Sequence, residues 1–148
     1  MKQLWIILVL GTALALAGCG TNSSHDAING NWTAALMSSN NSSNPVFNFT
    51  VTMNQTSGSN LSITNLNFTT ANSCFASGTT ATGGFTLSGT FSGQTSGGFQ
   101  MNVQSTGSSN NQLTLQGTVN NNTITGNWTL TGTTAGCSGS GTFTMNKS

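Results

Sequence analysis

Apolar and polar residues alternate along several segments of the chain, and this alternation predicts β-strands. Val46–Met53 and Ile124–Leu130 are clear cases, with threonine and asparagine at the polar positions. A period of two is typical of antiparallel strands that are covered on one face and wet on the other. The pattern predicts eight strands, near residues 30–37, 46–55, 60–69, 83–92, 98–106, 111–119, 123–131 and 139–146. No stretch after Cys19 has the period of a helix.

The segments between these strands are rich in glycine, serine and asparagine, which favour turns. If consecutive strands are neighbours, the connections fall at two ends of the sheet. Short connections share one end with the N-terminal segment: 56–59, 93–97 and 120–122. The other end holds the connections 38–45, 70–82, 107–110 and 132–138. Long loops on a rigid scaffold often carry binding, so this second end is the candidate functional surface.

Glycines on the apolar face of several strands indicate a closed sheet. Gly89, Gly117, Gly126 and Gly141 all share a face with flanking apolar residues. Inward glycines suit the tight coiling of a small barrel. Lysine and proline, which usually protect exposed edge strands, are almost missing, and closure removes that need. The sequence therefore predicts an all-β fold, an antiparallel up-and-down barrel of about eight strands, with a Greek-key or two-sheet β-sandwich as the alternative.

Charge is nearly absent after residue 19. Asp26 and Lys147 are the only acidic and basic side chains there. Nucleic-acid binding requires a lysine and arginine footprint, so we predict no nucleic-acid partner. The regular spacing of apolar residues also separates this chain from disordered proteins, which usually lack aromatic residues and carry high net charge.

The N-terminal segment has an uncharged apolar run from Leu4 to Ala17 that follows Lys2 and ends in Leu16-Ala17-Gly18-Cys19. This tetrapeptide resembles the lipobox of bacterial lipoproteins. The resemblance implies cleavage before Cys19, a diacylglycerol on its thiol and acylation of the new amino group. The predicted organisation is a signal peptide at 1–18, a lipid-anchored polar tether at 19–29 and one β-domain at 30–148. The alternative is an ordinary signal peptide cut after Ala17, which leaves Cys19 free.

The residue after the lipobox cysteine bears on location. In the best-known sorting rule an aspartate there directs retention in the inner membrane, and this chain has Gly20. The resemblance therefore implies a lipid-anchored protein of the cell envelope, with the outer membrane or the cell surface favoured over the inner membrane.

The remaining cysteines are predicted to form a disulfide. The chain has three cysteines, and lipidation of Cys19 leaves Cys74 and Cys137 to pair in an oxidising compartment. Both lie in connections predicted at the same end of the sheet. A metal pair is the alternative, but it lacks further ligands because His25 lies in the tether.

The first strand opens with Gly30-Asn31-Trp32, which has the Gly-x-Trp form found at the start of lipocalin barrels and is also similar to avidin-type barrels. The resemblance implies a barrel that is able to enclose a small apolar or amphipathic ligand. The inward residues that would line such a site are Trp32, Phe47, Phe49, Phe85, Phe99, Met101 and Trp128. The alternative is that the same side chains simply fill the barrel.

The composition includes few residues of the types that carry out catalysis. His25 and Asp26 lie in the tether, and the sequence has no paired carboxylates, phosphate loop or metal-ligand cluster. We therefore predict no enzyme activity, no cofactor and no metal site. The preferred hypothesis is a structural or interaction lipoprotein whose loops meet an envelope protein or a glycan. A lipocalin-like carrier is the second hypothesis and a hydrolase the third.

Overall fold

The computed structural model describes residues 28–70, 72–75, 79–91, 94–105 and 110–148, which form a closed antiparallel barrel of eight strands. Each strand pairs with its neighbours in the chain, and β1 pairs with β8 to close the barrel. This up-and-down order confirms the predicted fold class over the sandwich. The strands are β1 Gly30–Ser38, β2 Asn41–Gln55, β3 Asn60–Phe68, β4 Thr79–Phe91, β5 Gln94–Ser105, β6 Gln112–Asn120, β7 Thr123–Thr131 and β8 Gly139–Lys147.

The alternation seen in the sequence separates the inside of the barrel from the outside. In β1, Trp32, Ala34 and Leu36 are fully buried, whereas Asn31 and Thr33 are exposed. Alternation is also clear in β6, β7 and β8, whereas β3 has a single buried residue. The inward aromatic, aliphatic and methionine side chains form one continuous core. The outer wall consists mainly of threonine, serine, asparagine and glutamine side chains.

The barrel has two ends, which we name by the chain segments found there. The proximal end holds Ile28, where the described chain begins, and the turns 56–59 and 121–122. The distal end holds the turn 39–40 and the connections 69–78 and 132–138. A tilted strand of nine residues, such as β7, places the two ends roughly 20–25 Å apart.

The predicted distal loop 38–45 is wrong, because β2 begins at Asn41 and only Ser39 and Asn40 form the turn. Met37 pairs with Pro45 and Ser38 pairs with Asn41, so residues 42–44 bulge out of an otherwise extended hairpin. Serine, asparagine and proline together suggest a loop. A bulge at a strand end accommodates the same residues because it requires no regular ladder and no proline N–H.

Two other predicted connections are too long. β4 begins at Thr79 rather than after residue 82, and β5 begins at Gln94, so most of the predicted turn 93–97 is strand. The pair Gly97-Gly98 suggests a turn, but both residues lie within β5. A Cβ added at Gly97 would collide with the ring of Phe85, so this glycine makes room for a side chain of the neighbouring strand.

One seam of the wall is much shorter than the others. β3 and β4 pair only at Asn60 with Gly84 and Leu61 with Gly83, whereas β6 and β7 align nine residue pairs. Beyond Leu61, β3 follows β2 through a register shift, near which Asn65 adopts a positive φ of 52°. The two strands therefore separate toward the distal end, where the described residues 72–75 of their connection lie.

Candidate functional site at the distal end

The seven residues predicted to line a ligand site all point into the barrel and belong to its core. None is more than 6% exposed. They contact one another and other core residues: the Phe47 ring lies 6.1 Å from that of Trp128, edge to face, and the Phe99 ring 6.3 Å from that of Phe143. The structure thus brings the predicted set together as packing: Trp32, Phe47, Phe49, Phe85, Phe99, Met101 and Trp128.

Trp32 closes the proximal end. Its indole Nε1 donates a hydrogen bond of 2.8 Å to the carbonyl oxygen of Ile28, and both residues are fully buried. The ammonium of Lys147 lies 6.0 Å from the centre of the same ring, within the range of a cation–π contact. The Gly-x-Trp segment therefore acts in this protein as a plug for the end where the chain enters the barrel.

The distal end is tied together by the predicted disulfide, which is confirmed. Cys74 and Cys137 are bonded, with their Cα atoms 5.6 Å apart. The bond joins the connection 69–78 to the connection 132–138 across the barrel mouth. Phe75, next to Cys74, stacks on Phe68 with ring centres 5.0 Å apart and meets Phe47 edge to face at 6.2 Å. The crossing segment is therefore held covalently and by aromatic packing.

Asn111 reinforces this arrangement from the start of β6. It is fully buried, and its amide Nδ2 donates to the carbonyl oxygen of Cys74 at 3.0 Å and to the hydroxyl of Thr134 at 3.3 Å. Its backbone N–H donates to the Ser105 hydroxyl at 3.1 Å. One buried amide thus bonds to both connections that the disulfide joins. A buried polar side chain in such a position favours one arrangement of the loops over others.

Beside this tied mouth lies an uncharged concave site that we name the distal groove. Its volume is about 250 Å³. The β1–β2 hairpin and the segment that leads into β8 form its two walls, and the edges of core side chains form its floor. The lining residues are Ser38, Ser39, Asn40, Val46, Phe47, Trp128, Leu130, Gly136, Ser138, Gly139 and Ser140.

Hydrogen bonds fix the walls of the groove. The N–H of Ser39 donates to the carbonyl oxygen of Ser140 at 3.0 Å, which ties one wall to the other. Within the hairpin, the N–H of Asn40 donates to the hydroxyl of Ser38 at 3.2 Å. The opposite wall contains Cys137, whose disulfide to Cys74 holds it in place. The two walls therefore keep their positions without a bound partner.

Trp128 forms the innermost part of the groove. Its Nε1 donates to the carbonyl oxygen of Met37 at 2.9 Å, so the indole reaches from β7 over β8 to β1. It passes over Gly141, where an added Cβ would collide with that carbonyl and lie 2.9 Å from Nε1. Gly139 lies beside the far edge of the ring, 3.5 Å from where its Cβ would stand. The glycines of β8 therefore make space for the indole.

Two other depressions lie on the outer wall. One, of about 370 Å³, runs over β4, β5 and β6. Another, of about 500 Å³, runs over β7, β8 and the end of β1 and adjoins the distal groove, with which it shares Ser38, Ser39, Trp128 and Ser140. Both are more open than the distal groove. Their surfaces are formed mainly by outward threonine, serine, asparagine and glutamine side chains of regular strands. The distal groove differs because two separate connections enclose it.

The electrostatic character of the site is simple. Across the residues that the structure describes, Lys147 is the only charged side chain, and it lies at the proximal end. The polar groups of the distal groove are hydroxyls, one side-chain amide and backbone atoms. They donate and accept hydrogen bonds but offer no counter-charge to an ion.

The described ranges also bear on metal binding and on membrane-spanning helices. They contain no group of three or more histidine, cysteine, aspartate or glutamate side chains that could bind a metal ion. No helix within them has the length and apolar character needed to cross a membrane. Cys19, His25 and Asp26 lie outside the described residues, so the lipobox and the tether remain predictions from the sequence.

Comparison of the chain with protein-family models, curated proteins and solved structures finds no significant match. The site must therefore be interpreted from its own chemistry.

Sequence reasoning missed Phe68, Phe75 and Asn111. One feature of the sequence indicated that Phe75 is buried: it is a large apolar residue beside a bridging cysteine in an otherwise polar connection. Phe68 stood at the end of a predicted strand, where its ring contacts depend on a loop that crosses the mouth. Asn111 is one asparagine among many, and only the fold shows that it is buried.

Proposed function

We propose that this protein is a non-catalytic lipoprotein of the cell envelope, anchored through a lipid on Cys19, that presents the distal end of its barrel to another envelope component. The observation that carries the proposal is the contrast between a packed interior and an open, organised groove at the end opposite the chain entry. The outer membrane or the cell surface is the favoured location.

The position of the N-terminus supports the orientation. Ile28 enters at the proximal end, and only the short segment 20–27 separates it from Cys19. A lipid at Cys19 would therefore hold the proximal end next to the membrane and turn the distal groove away from it. Several acyl chains on one cysteine are enough for stable anchoring, whereas one chain is not.

Packing favours the interaction module over the lipocalin-like carrier. A carrier would keep its ligand among the inward aromatic residues, but Trp32 is fully buried against Ile28, and Trp128 and Phe47 contact each other. Interiors of eight-stranded barrels are wide enough either to be filled by side chains or to hold one small ligand. Here the predicted lining residues contact other core side chains.

The anchor is tested by fractionating cells that express the full chain with Cys19→Ser. We expect the wild type in the membrane pellet after a high-salt wash and the variant in the soluble exported fraction or as uncleaved precursor. Ser23→Ala, in the same segment, is the matched control and should remain in the pellet. Mature Cys19→Ser protein that stays in the washed pellet would contradict the proposal.

A further inference from the structure

We propose that the distal groove binds a terminal sugar ring of a neutral glycan. This inference rests on the proposed function, because it names the chemistry of the envelope component that the distal end would meet. It is carried by the composition of the groove, by its charge and by its rigidity.

The lining combines two kinds of surface that a sugar ring requires. Hydroxyl and amide groups of Ser39, Asn40 and Ser138 line the groove. Its aromatic surface is small, because Phe47 is 6% and Trp128 3% exposed, so only the edge of each ring is accessible. A pyranose ring has hydroxyls around its edge and C–H groups on its faces. Hydroxyls and amides both donate and accept hydrogen bonds, so they match sugar hydroxyls in either role.

The absence of charge in the groove selects the class of glycan. Lys147, the only charged side chain of the described residues, lies at the other end of the barrel. A carboxylate, sulfate or phosphate group in the groove would lose its hydration without gaining an opposite charge. Neutral sugars do not incur this cost, so the groove should prefer them to acidic ones.

Size and shape favour a small ligand over a protein surface. A volume of about 250 Å³ lies just below the usual range of roughly 300–1,000 Å³ for small-molecule sites, which suits one ring at a chain end. A stable protein interface usually buries about 1,200–2,000 Å² and includes exposed aromatic anchors. Among the side chains that the structure describes, Val46 is the one large apolar side chain that is exposed, and it is not aromatic.

The walls are fixed before binding, which reduces the entropy lost when a weak ligand is bound. The bond from Ser39 to Ser140 extends the β1–β8 ladder into the groove wall, and the disulfide of Cys137 holds the segment beside Ser138. For a single ring, we expect a dissociation constant on the order of 1 mM, with oligosaccharides that end in the same ring binding no more weakly.

The test uses the full protein, purified in a detergent without a sugar headgroup and titrated with neutral hexoses, N-acetylhexosamines, their oligosaccharides and carboxylated or sulfated counterparts. The indole N–H signals are followed by NMR. The Trp128 signal should move during titration, whereas the Trp32 signal, from the opposite end, should stay in place. A saccharide that moves both signals equally, or only that of Trp32, would overturn the proposal.

Paired variants locate the binding. Ser138→Phe and, independently, Ser39→Phe place a ring in the groove at exposed positions and should weaken binding by tenfold or more. Thr125→Phe adds the same ring at an exposed position of β7 outside the groove and should change affinity less than twofold. Thermal melts confirm that each variant folds.

Three outcomes would overturn the proposal: no neutral saccharide binding up to about 10 mM, preference for acidic saccharides, or equal loss of binding in Ser138→Phe and Thr125→Phe. A protein partner that is captured at Ser138 when no saccharide binds would also overturn it, while leaving the proposed function intact. Conversely, mature Cys19→Ser protein in the washed membrane pellet removes the proposed function whatever the titrations show.

Discussion

The tryptophans at the two ends of the barrel are anchored by contacts of very different sequence range. At the proximal end, the Trp32 indole bonds to Ile28, four residues away, and the end of β8 packs there too, with Lys147 over the same ring. At the distal end, the indole bond of Trp128 reaches Met37, 91 residues away, and the disulfide joins cysteines 63 residues apart. One indole bonds to the segment that leads into its own strand, whereas the other bonds to a strand from the far end of the chain.

This difference explains why the distal end is the better candidate for function. The contacts at the proximal end close the barrel around the buried Trp32 indole. Long-range contacts place the β1–β2 hairpin beside the segment leading into β8, and the groove lies between them. Ordering these distant segments lowers the chain entropy. The disulfide, Asn111 and the aromatic cluster around Phe75 offset that loss.

The largest expected effect comes from truncating either tryptophan. Trp32→Ala and Trp128→Ala should each lower the free energy of unfolding by roughly 3–5 kcal/mol, because each removes a large buried ring and leaves a cavity. The measurement is chemical denaturation, with Trp32→Phe and Trp128→Phe as milder controls. A well-folded Trp128→Ala protein that loses a co-purifying small molecule would instead favour the carrier hypothesis.

Removing the disulfide should have a somewhat smaller effect, confined to the distal end. Cys74→Ala combined with Cys137→Ala should lower stability by roughly 2–4 kcal/mol, since chain entropy alone gives about 4 kcal/mol for a loop of this length. Hydrogen exchange should accelerate in residues 69–75 and 132–138 and change little at the 121–122 turn. Uniform acceleration at both ends would show that the disulfide does not act locally.

Crowding at Gly141 offers a finer test of how the groove floor is built. Gly141→Ala should cost about 1–3 kcal/mol, because the added methyl group collides with the Met37 carbonyl that accepts the Trp128 hydrogen bond. Gly98→Ala is the matched control on β5, where a Cβ meets nothing within 4 Å, and thermal melts should show little change. Equal melting temperatures for the two variants would contradict this description of the floor.

The smallest expected effect concerns salt. A partner held by hydrogen bonds and apolar contacts should change in affinity by less than about twofold between 50 and 200 mM salt, because no charge steers it to the distal end. Titrations of the bound partner at the two salt concentrations measure this. A strong loss of affinity with salt would point to the proximal end, where Lys147 lies.

Much of the fold was predictable because the alternation in Phe47–Met53 of β2 and in β7 is strict and inward glycines suited a closed sheet. The errors lay where composition and geometry disagree. Residues 41–45 resemble a loop yet bulge within β2, and Gly97-Gly98 resembles a turn yet lies in β5, where Gly97 makes room for Phe85. Local composition does not show which side chain of the neighbouring strand packs against a given residue.

The candidate site was predictable only in part. The sequence placed Cys74 and Cys137 at the same end and indicated that end as the functional surface. It offered the inward aromatic residues as ligand lining or as barrel core, and the structure buries all of them. The groove itself depends on a hydrogen bond between Ser39 and Ser140, and contacts between residues so far apart in the chain have no signature in a single sequence.

The most direct test of the central claim compares the two ends in intact cells. A photoreactive amino acid is introduced at Ser138 in the distal groove or at Asn122 in the proximal turn, both exposed positions, and the cross-linked forms of the full protein are measured after illumination. The account predicts abundant adducts from Ser138 and several-fold fewer from Asn122. Equal yields, or adducts mainly from Asn122, would contradict it.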